Sequence, residues 1–122
     1  MSLPNGRKVI AFDFDGVLHE YHGWNEGKLG APIPGMLYVV DSLRAEGAYV
    51  VIHTTRQAHE IQPWLAEHGF PDLPVYNEKW SRIDLFVDDR AYAFNPQCAS
   101  EENADAFVRT MLDFQPYWRR ER

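Results

Sequence analysis

Three short apolar runs, each closing on polar residues, restrict what this chain can fold into. Lys8–Phe14 (KVIAFDF), Ala48–Thr54 (AYVVIHT) and Ile83–Val87 (IDLFV) are brief and rich in β-branched and aromatic residues. That pattern predicts strands buried in a sheet. Val75-Tyr76 reads as a further, very short strand. Between the runs lie helical patterns. Gly35–Glu46 (GMLYVVDSLRAE) spaces Leu37, Val40, Leu43 and Arg44 helically, with Gly47 as a stop. Gln57–His68 reads as a helix closed by Gly69, with Pro63 predicting a kink or a late start. Ser100–Phe114 reads as a last helix, with Ser100 as N-cap and Glu101, Glu102 and Asn103 in the first turn. Residues 19–34 hold Gly23, Gly27, Gly30, Pro32 and Pro34 and read as a flap, and residues 119–122 as a frayed tail. The alternation of strand and helix predicts an α/β fold: a three-layer, Rossmann-like parallel sheet with crossover helices. Such sheets bind ligands at the carboxyl ends of their strands.

A chain of 122 residues suits one domain, residues 1–122, with one core and no room for a large lid. The formal net charge of -6 disfavours extended nucleic-acid backbone, whose binding rests on Lys and Arg; a nucleic-acid end stays open as a partner. The single cysteine, Cys98, rules out an intrachain disulfide and predicts a cytoplasmic protein. No apolar run approaches the roughly 20 residues that cross a bilayer, and no signal peptide is visible, so no membrane partner is expected.

The chemistry-bearing residues fall at strand ends: Asp13 and Asp15, then Thr54, Thr55 and Arg56, then Asp88 and Asp89. A parallel sheet would bring them to one crevice. Two carboxylates about 4 Å apart repel by roughly 4 kcal/mol at an effective dielectric near 20. A cluster of them calls for a cation, and all-oxygen ligands favour a hard one such as Mg²⁺. Thr54 offers a hydroxyl to a phosphoryl oxygen, and Arg56 a fork that fits phosphate. Lys79, nine residues before Asp88, is placed to neutralise phosphate and acids together. The five histidines form no zinc pattern. Trp24 stands out among the tryptophans because it lies in the flap.

Together these residues resemble the haloacid dehalogenase superfamily of phosphohydrolases, in its small capless bacterial and phage form. The matching positions are Asp13-Phe14-Asp15-Gly16-Val17, Thr54, Lys79 and Asp88-Asp89, in the family's order. The Thr54-Thr55-Arg56 stretch is also similar to the second motif of polynucleotide 3′-phosphatases. The resemblance implies an Mg²⁺-dependent phosphatase acting on phosphomonoesters through an aspartyl-phosphate on Asp13. It implies Asp15 as general acid and then base, with its backbone carbonyl and Asp13 binding the metal, Asp89 as the inner-sphere acid of the last pair and Asp88 holding a metal water or Lys79, or the two in reverse order. Thr54, Thr55, Arg56 and Lys79 would hold the phosphoryl group. Lys79 lies unusually close to the last acid pair, which leaves Arg82 as an alternative for its role. The interval after the first motif holds only a flap, which implies an open site and admits closure by a partner subunit. Two other readings compete: a non-catalytic or phosphotransfer module on the same fold, and a receiver domain. The second is disfavoured because receivers carry their acid pair first and this chain carries it last.

Overall fold

Val9–Phe12 (β1) pairs in parallel with Tyr49–His53 (β2) on one side and Leu85–Val87 (β4) on the other, and β2 pairs in parallel with Val75–Tyr76 (β3). The sheet therefore runs β3-β2-β1-β4, all parallel, as the alternation of runs predicts. The computed structural model describes residues 7–119 and divides into two compact units after Asp88.

The first unit is built on the period-2 pattern of β1 and β2. Register places Ile10 beside Val50 and Phe12 beside Ile52, so these four share one face. On that face they join Val40 of Met36–Ala45 (α1) and Ile61, Trp64 and Leu65 of Ala58–Glu67 (α2) in the core. Each large apolar side chain fully buried there contributes about 1.5–3 kcal/mol. Val9, Ala11 and Val51 are buried on the opposite face. There Trp80 stacks on Tyr76, with ring centroids 5.2 Å apart. His53 meets the Phe86 ring edge-on at 5.2 Å.

The start of β4 differs from the sequence expectation. β4 begins at Leu85 because Asp84 pairs through its side chain: its carboxylate accepts the Val9 N–H at 2.8 Å while its own N–H donates to the Val9 carbonyl. α2 spans Ala58–Glu67 between caps at Gln57 and His68, as the sequence pattern predicts; the Glu60 carboxylate accepts the Gln57 N–H and secures the first turn ahead of Pro63.

The second unit, Asp89 onward, holds Ala104–Asp113 (α3) and two short 3-10 turns, Pro96–Ala99 and Tyr117–Arg119. Ser100 is not the N-cap of the last helix. Asn95 Oδ1 accepts the Gln97 N–H and opens the 3-10 turn that ends at Ser100. The Ser100 carbonyl then accepts from Asn103 and Ala104, so residues 100–103 form a turn and α3 starts at Ala104. Arg119 belongs to a turn; the rest of the expected tail, residues 120–122, lies outside the described residues. No helix among the described residues is long and apolar enough to cross a membrane.

Candidate functional site

The parallel register carries Asp13 to its neighbours. β1 pairs Phe12 with Val87 and with Ile52. The Asp13 N–H extends the ladder to the Val87 carbonyl at 2.9 Å. One step further on, Asp13 stands between His53 of β2 and Asp88 after β4. Asp13 and Asp88 each present a carboxylate oxygen, and these oxygens lie within 4.8 Å of each other. At that separation and an effective dielectric near 20, two charges repel by roughly 3.5 kcal/mol before any partner is counted. A cation between them reverses the sign, and an oxygen-only pair suits a hard divalent ion. Asp13 Oδ1 also accepts the Phe14 N–H at 2.8 Å, which fixes its rotamer. Asp89 follows Asp88 directly and opens the second unit, where Trp118 Nε1 donates to its Oδ2.

After Phe14 the chain turns sharply. The Phe14 carbonyl accepts from Val17, Leu18 and His19, and Gly16 takes a φ of 80°, which glycine adopts without steric cost. The turn aims the Asp15 side chain at a second set of partners. Arg56 Nε donates to both Asp15 oxygens at 2.9 and 3.1 Å, and Nη2 lies 2.9 Å from Oδ1. His19 Nε2 lies 2.6 Å from the same Oδ1. His19 Nδ1 accepts the Gly30 N–H at 2.9 Å, so the ring's proton sits on Nε2 and donates to Asp15. Burial pushes the Asp15 carboxyl up, but the His19 hydrogen bond and the Arg56 charge outweigh it and hold the group below its ordinary value of 3.8. Asp15 is thus an ionised acceptor.

The flap is tied to this network. Arg56 Nη1 donates to the Gly27 carbonyl and Trp64 Nε1 to the Gly30 carbonyl. Gly30 is required by close approach: a Cβ there would stand 2.6 Å from the Glu20 carbonyl oxygen. The Arg56 guanidinium lies 5.0 Å from the centre of the Trp24 ring.

The sequence-predicted residues therefore separate into two groups. Asp13 and Asp88 come together at the strand ends. The Asp15 side chain and Arg56 face each other instead, and Arg56, 4% exposed, spends its fork on a carboxylate. Thr54 is buried, and its hydroxyl oxygen accepts the Arg56 N–H at 3.2 Å, leaving its O–H as a donor. Thr55 is exposed beside it. Lys79 Nζ lies 5.6 Å from the Phe86 ring centre, on the strand that leads into Asp88, while Arg82 sits exposed in the preceding turn. Three residues escaped sequence reasoning. His53 takes its place by strand register, His19 by a contact with a carboxylate four residues earlier, and Asn77 by donating to both the Thr54 and Arg56 carbonyls at 2.8 Å. For His19, the spacing from Asp15 within one tight glycine turn was the available signal.

Comparison with known proteins bears on the fold. No known family matches the chain, and no curated protein does. A solved structure of a conserved protein coded by a locus from Bacteroides thetaiotaomicron is similar, with a TM-score of 0.57 at 22% identity, over 90% of this chain and 100% of that one. The likeness supports a small α/β fold of the Rossmann-like kind.

Proposed function

We propose that this chain is a phosphohydrolase of the haloacid dehalogenase type, acting on phosphomonoesters in the cytoplasm. The observation that carries the reading is the Asp13–Asp88 carboxylate pair at the carboxyl ends of adjacent parallel strands. The donor set fits Mg²⁺: Asp13, Asp88 and the Asp15 carbonyl would hold it. The ion, when bound, offsets the negative charge of acids and phosphate so that one can approach the other. Asp13, held by the Phe14 N–H, directs its other oxygen at phosphorus. Its attack forms an O–P bond and breaks the bond to the leaving oxygen. Lys79 and the Thr54 O–H steady the phosphoryl oxygens. Water then cleaves the aspartyl-phosphate and frees Asp13 and inorganic phosphate.

In this reading Asp15 acts in the second half of the cycle, where an ionised carboxylate accepts a proton from the attacking water. With its carboxyl held below the usual range, it is a poor donor to the leaving oxygen in the first half. Esters whose leaving oxygen needs little protonation, such as aryl phosphates, are then the better substrates. Arg56 enters as the residue that positions Asp15 rather than as a phosphate ligand.

The test is phosphate release across a series of aryl and alkyl phosphates with Mg²⁺ and with chelator. A steep rise in rate with leaving-group acidity, abolished by chelator, is expected. No phosphate release from any ester would overturn the proposal.

A further inference from the structure

We infer that Trp24 is a stacking platform for a planar aromatic ring carried by a phosphate ester, such as the base of a nucleotide, and that Arg56 holds the platform in place. The inference rests on the phosphohydrolase reading for the phosphate and on separate observations for the ring. Trp24 is 67% exposed. It is not loose, because the Arg56 guanidinium stands 5.0 Å from its ring centre. With one face of the ring against Arg56 and two-thirds of the residue accessible, the remaining face looks into solvent. Trp24 lines a hollow of about 430 Å³ in the flap, shared with Tyr21, His22 and Lys28. This is the size of a small-molecule site. The lining joins the rings of Trp24 and Tyr21 to the Lys28 ammonium and the His22 imidazole, with the Glu20 carboxylate also on its wall, so the aromatic surface rather than net charge is what it offers a planar ring.

The placement follows from the same bonds. Arg56 is fixed by two Asp15 oxygens and the Gly27 carbonyl. Asp15 lies two residues beyond Asp13. The platform is therefore tied through one arginine side chain to the strand end that carries the proposed nucleophile. A ring stacked on Trp24 would set its phosphate toward that end without any cap domain.

The experiment is equilibrium binding of adenosine 5′-monophosphate and of ribose 5-phosphate, read by calorimetry in chelator so that no ester is cleaved, for the wild type, Trp24→Ala and Trp24→Phe. The two probes differ by the base alone. The wild type should prefer the nucleotide by about tenfold, within the range base stacking on aromatic side chains provides. Trp24→Ala should bring the ratio of the two constants close to one, and Trp24→Phe should keep most of the preference. Because Trp24 is exposed, both variants should melt with the wild type, which a thermal scan verifies. A wild-type ratio near one, or a preference that survives Trp24→Ala, would overturn the inference. Binding is read without turnover, so an absence of phosphate release alongside a Trp24-dependent preference would sink the hydrolase reading and leave the platform standing.

Discussion

At the end of β1 the Asp13 carboxylate stands within 4.8 Å of another acid, Asp88. Two residues on, the Asp15 carboxylate is gripped by Arg56 and His19. The two acids have the same chemistry and nearly the same place in the chain, and their surroundings are opposite. The difference comes from the backbone between them. Asp13 still follows the strand ladder, so it is delivered to the sheet's carboxyl edge beside the next strand's acid. Asp15 lies past the turn that wraps the Phe14 carbonyl, so it is delivered toward the flap. A sheet edge thus collects like charges that want a cation, while the turn collects a carboxylate with donors of its own. One acid faces a like charge, and the other is held by an arginine and an imidazole N–H.

The largest effect that separates the two is on turnover. Asp13→Asn should reduce phosphate release by at least roughly a thousandfold, the scale on which loss of a nucleophile is felt. Asp15→Asn should reduce it less, because it removes the proton acceptor for water and leaves the nucleophile in place. Steady-state rates on one aryl ester settle the order, and equal losses would mean the acids act as one group.

Stability should reverse that order. Asp15→Ala takes from Arg56, 4% exposed, its hydrogen-bonded carboxylate and leaves it the Glu60 carboxylate at 3.8 Å, and breaking such a pair from one side costs about 3 kcal/mol. Asp13→Ala removes one of two like charges and should cost far less. Urea unfolding of the two variants measures the gap. If Asp13→Ala proves the more destabilising, the pairings assigned to the two acids are wrong.

These contrasts were only partly legible in the residues. The strands were readable because apolar runs of β-formers end in acid or hydroxyl residues, and their alternation with helices left a parallel sheet as the simple solution. That Asp13 meets Asp88 follows once β1 and β4 are neighbours, yet nothing local in either run states that adjacency. Asp15's partners were less visible. Arg56 is 41 residues away and looks like a phosphate ligand when its own run is read alone. His19 was set aside because the histidines lack zinc spacing, a filter blind to a ring whose task is to bridge Asp15 and the Gly30 N–H. The start of α3 was missed because Ser100 is a good cap by type, while Asn95 had already started a 3-10 turn ahead of it.

Metal should act on the strand-end pair alone. At about 100 times its dissociation constant, Mg²⁺ should stabilise the wild type by roughly 2.7 kcal/mol, a melting shift of several degrees in a domain of this size. Asp88→Asn should remove most of that shift. A shift that persists in Asp88→Asn would place the ion elsewhere.

The smallest effect is the pH dependence that Asp15 brings to folding. Its carboxyl is held below its ordinary value of 3.8 in the folded chain, because the His19 hydrogen bond and the Arg56 charge together outweigh the effect of burial. A depressed carboxyl binds its proton less readily when folded than when unfolded. Its contribution to stability is therefore complete above the unfolded value and is lost as pH falls through the folded one. Asp15→Asn cannot titrate and lacks this component. The stability difference between wild type and Asp15→Asn should stay level from about pH 7 to about pH 5 and shrink only below the ordinary carboxyl range. Urea midpoints of both proteins at a series of pH values trace it. A difference that already shrinks between pH 7 and pH 5 would show that another group controls the network, and that the Asp15 carboxylate is not the charge Arg56 is there to hold.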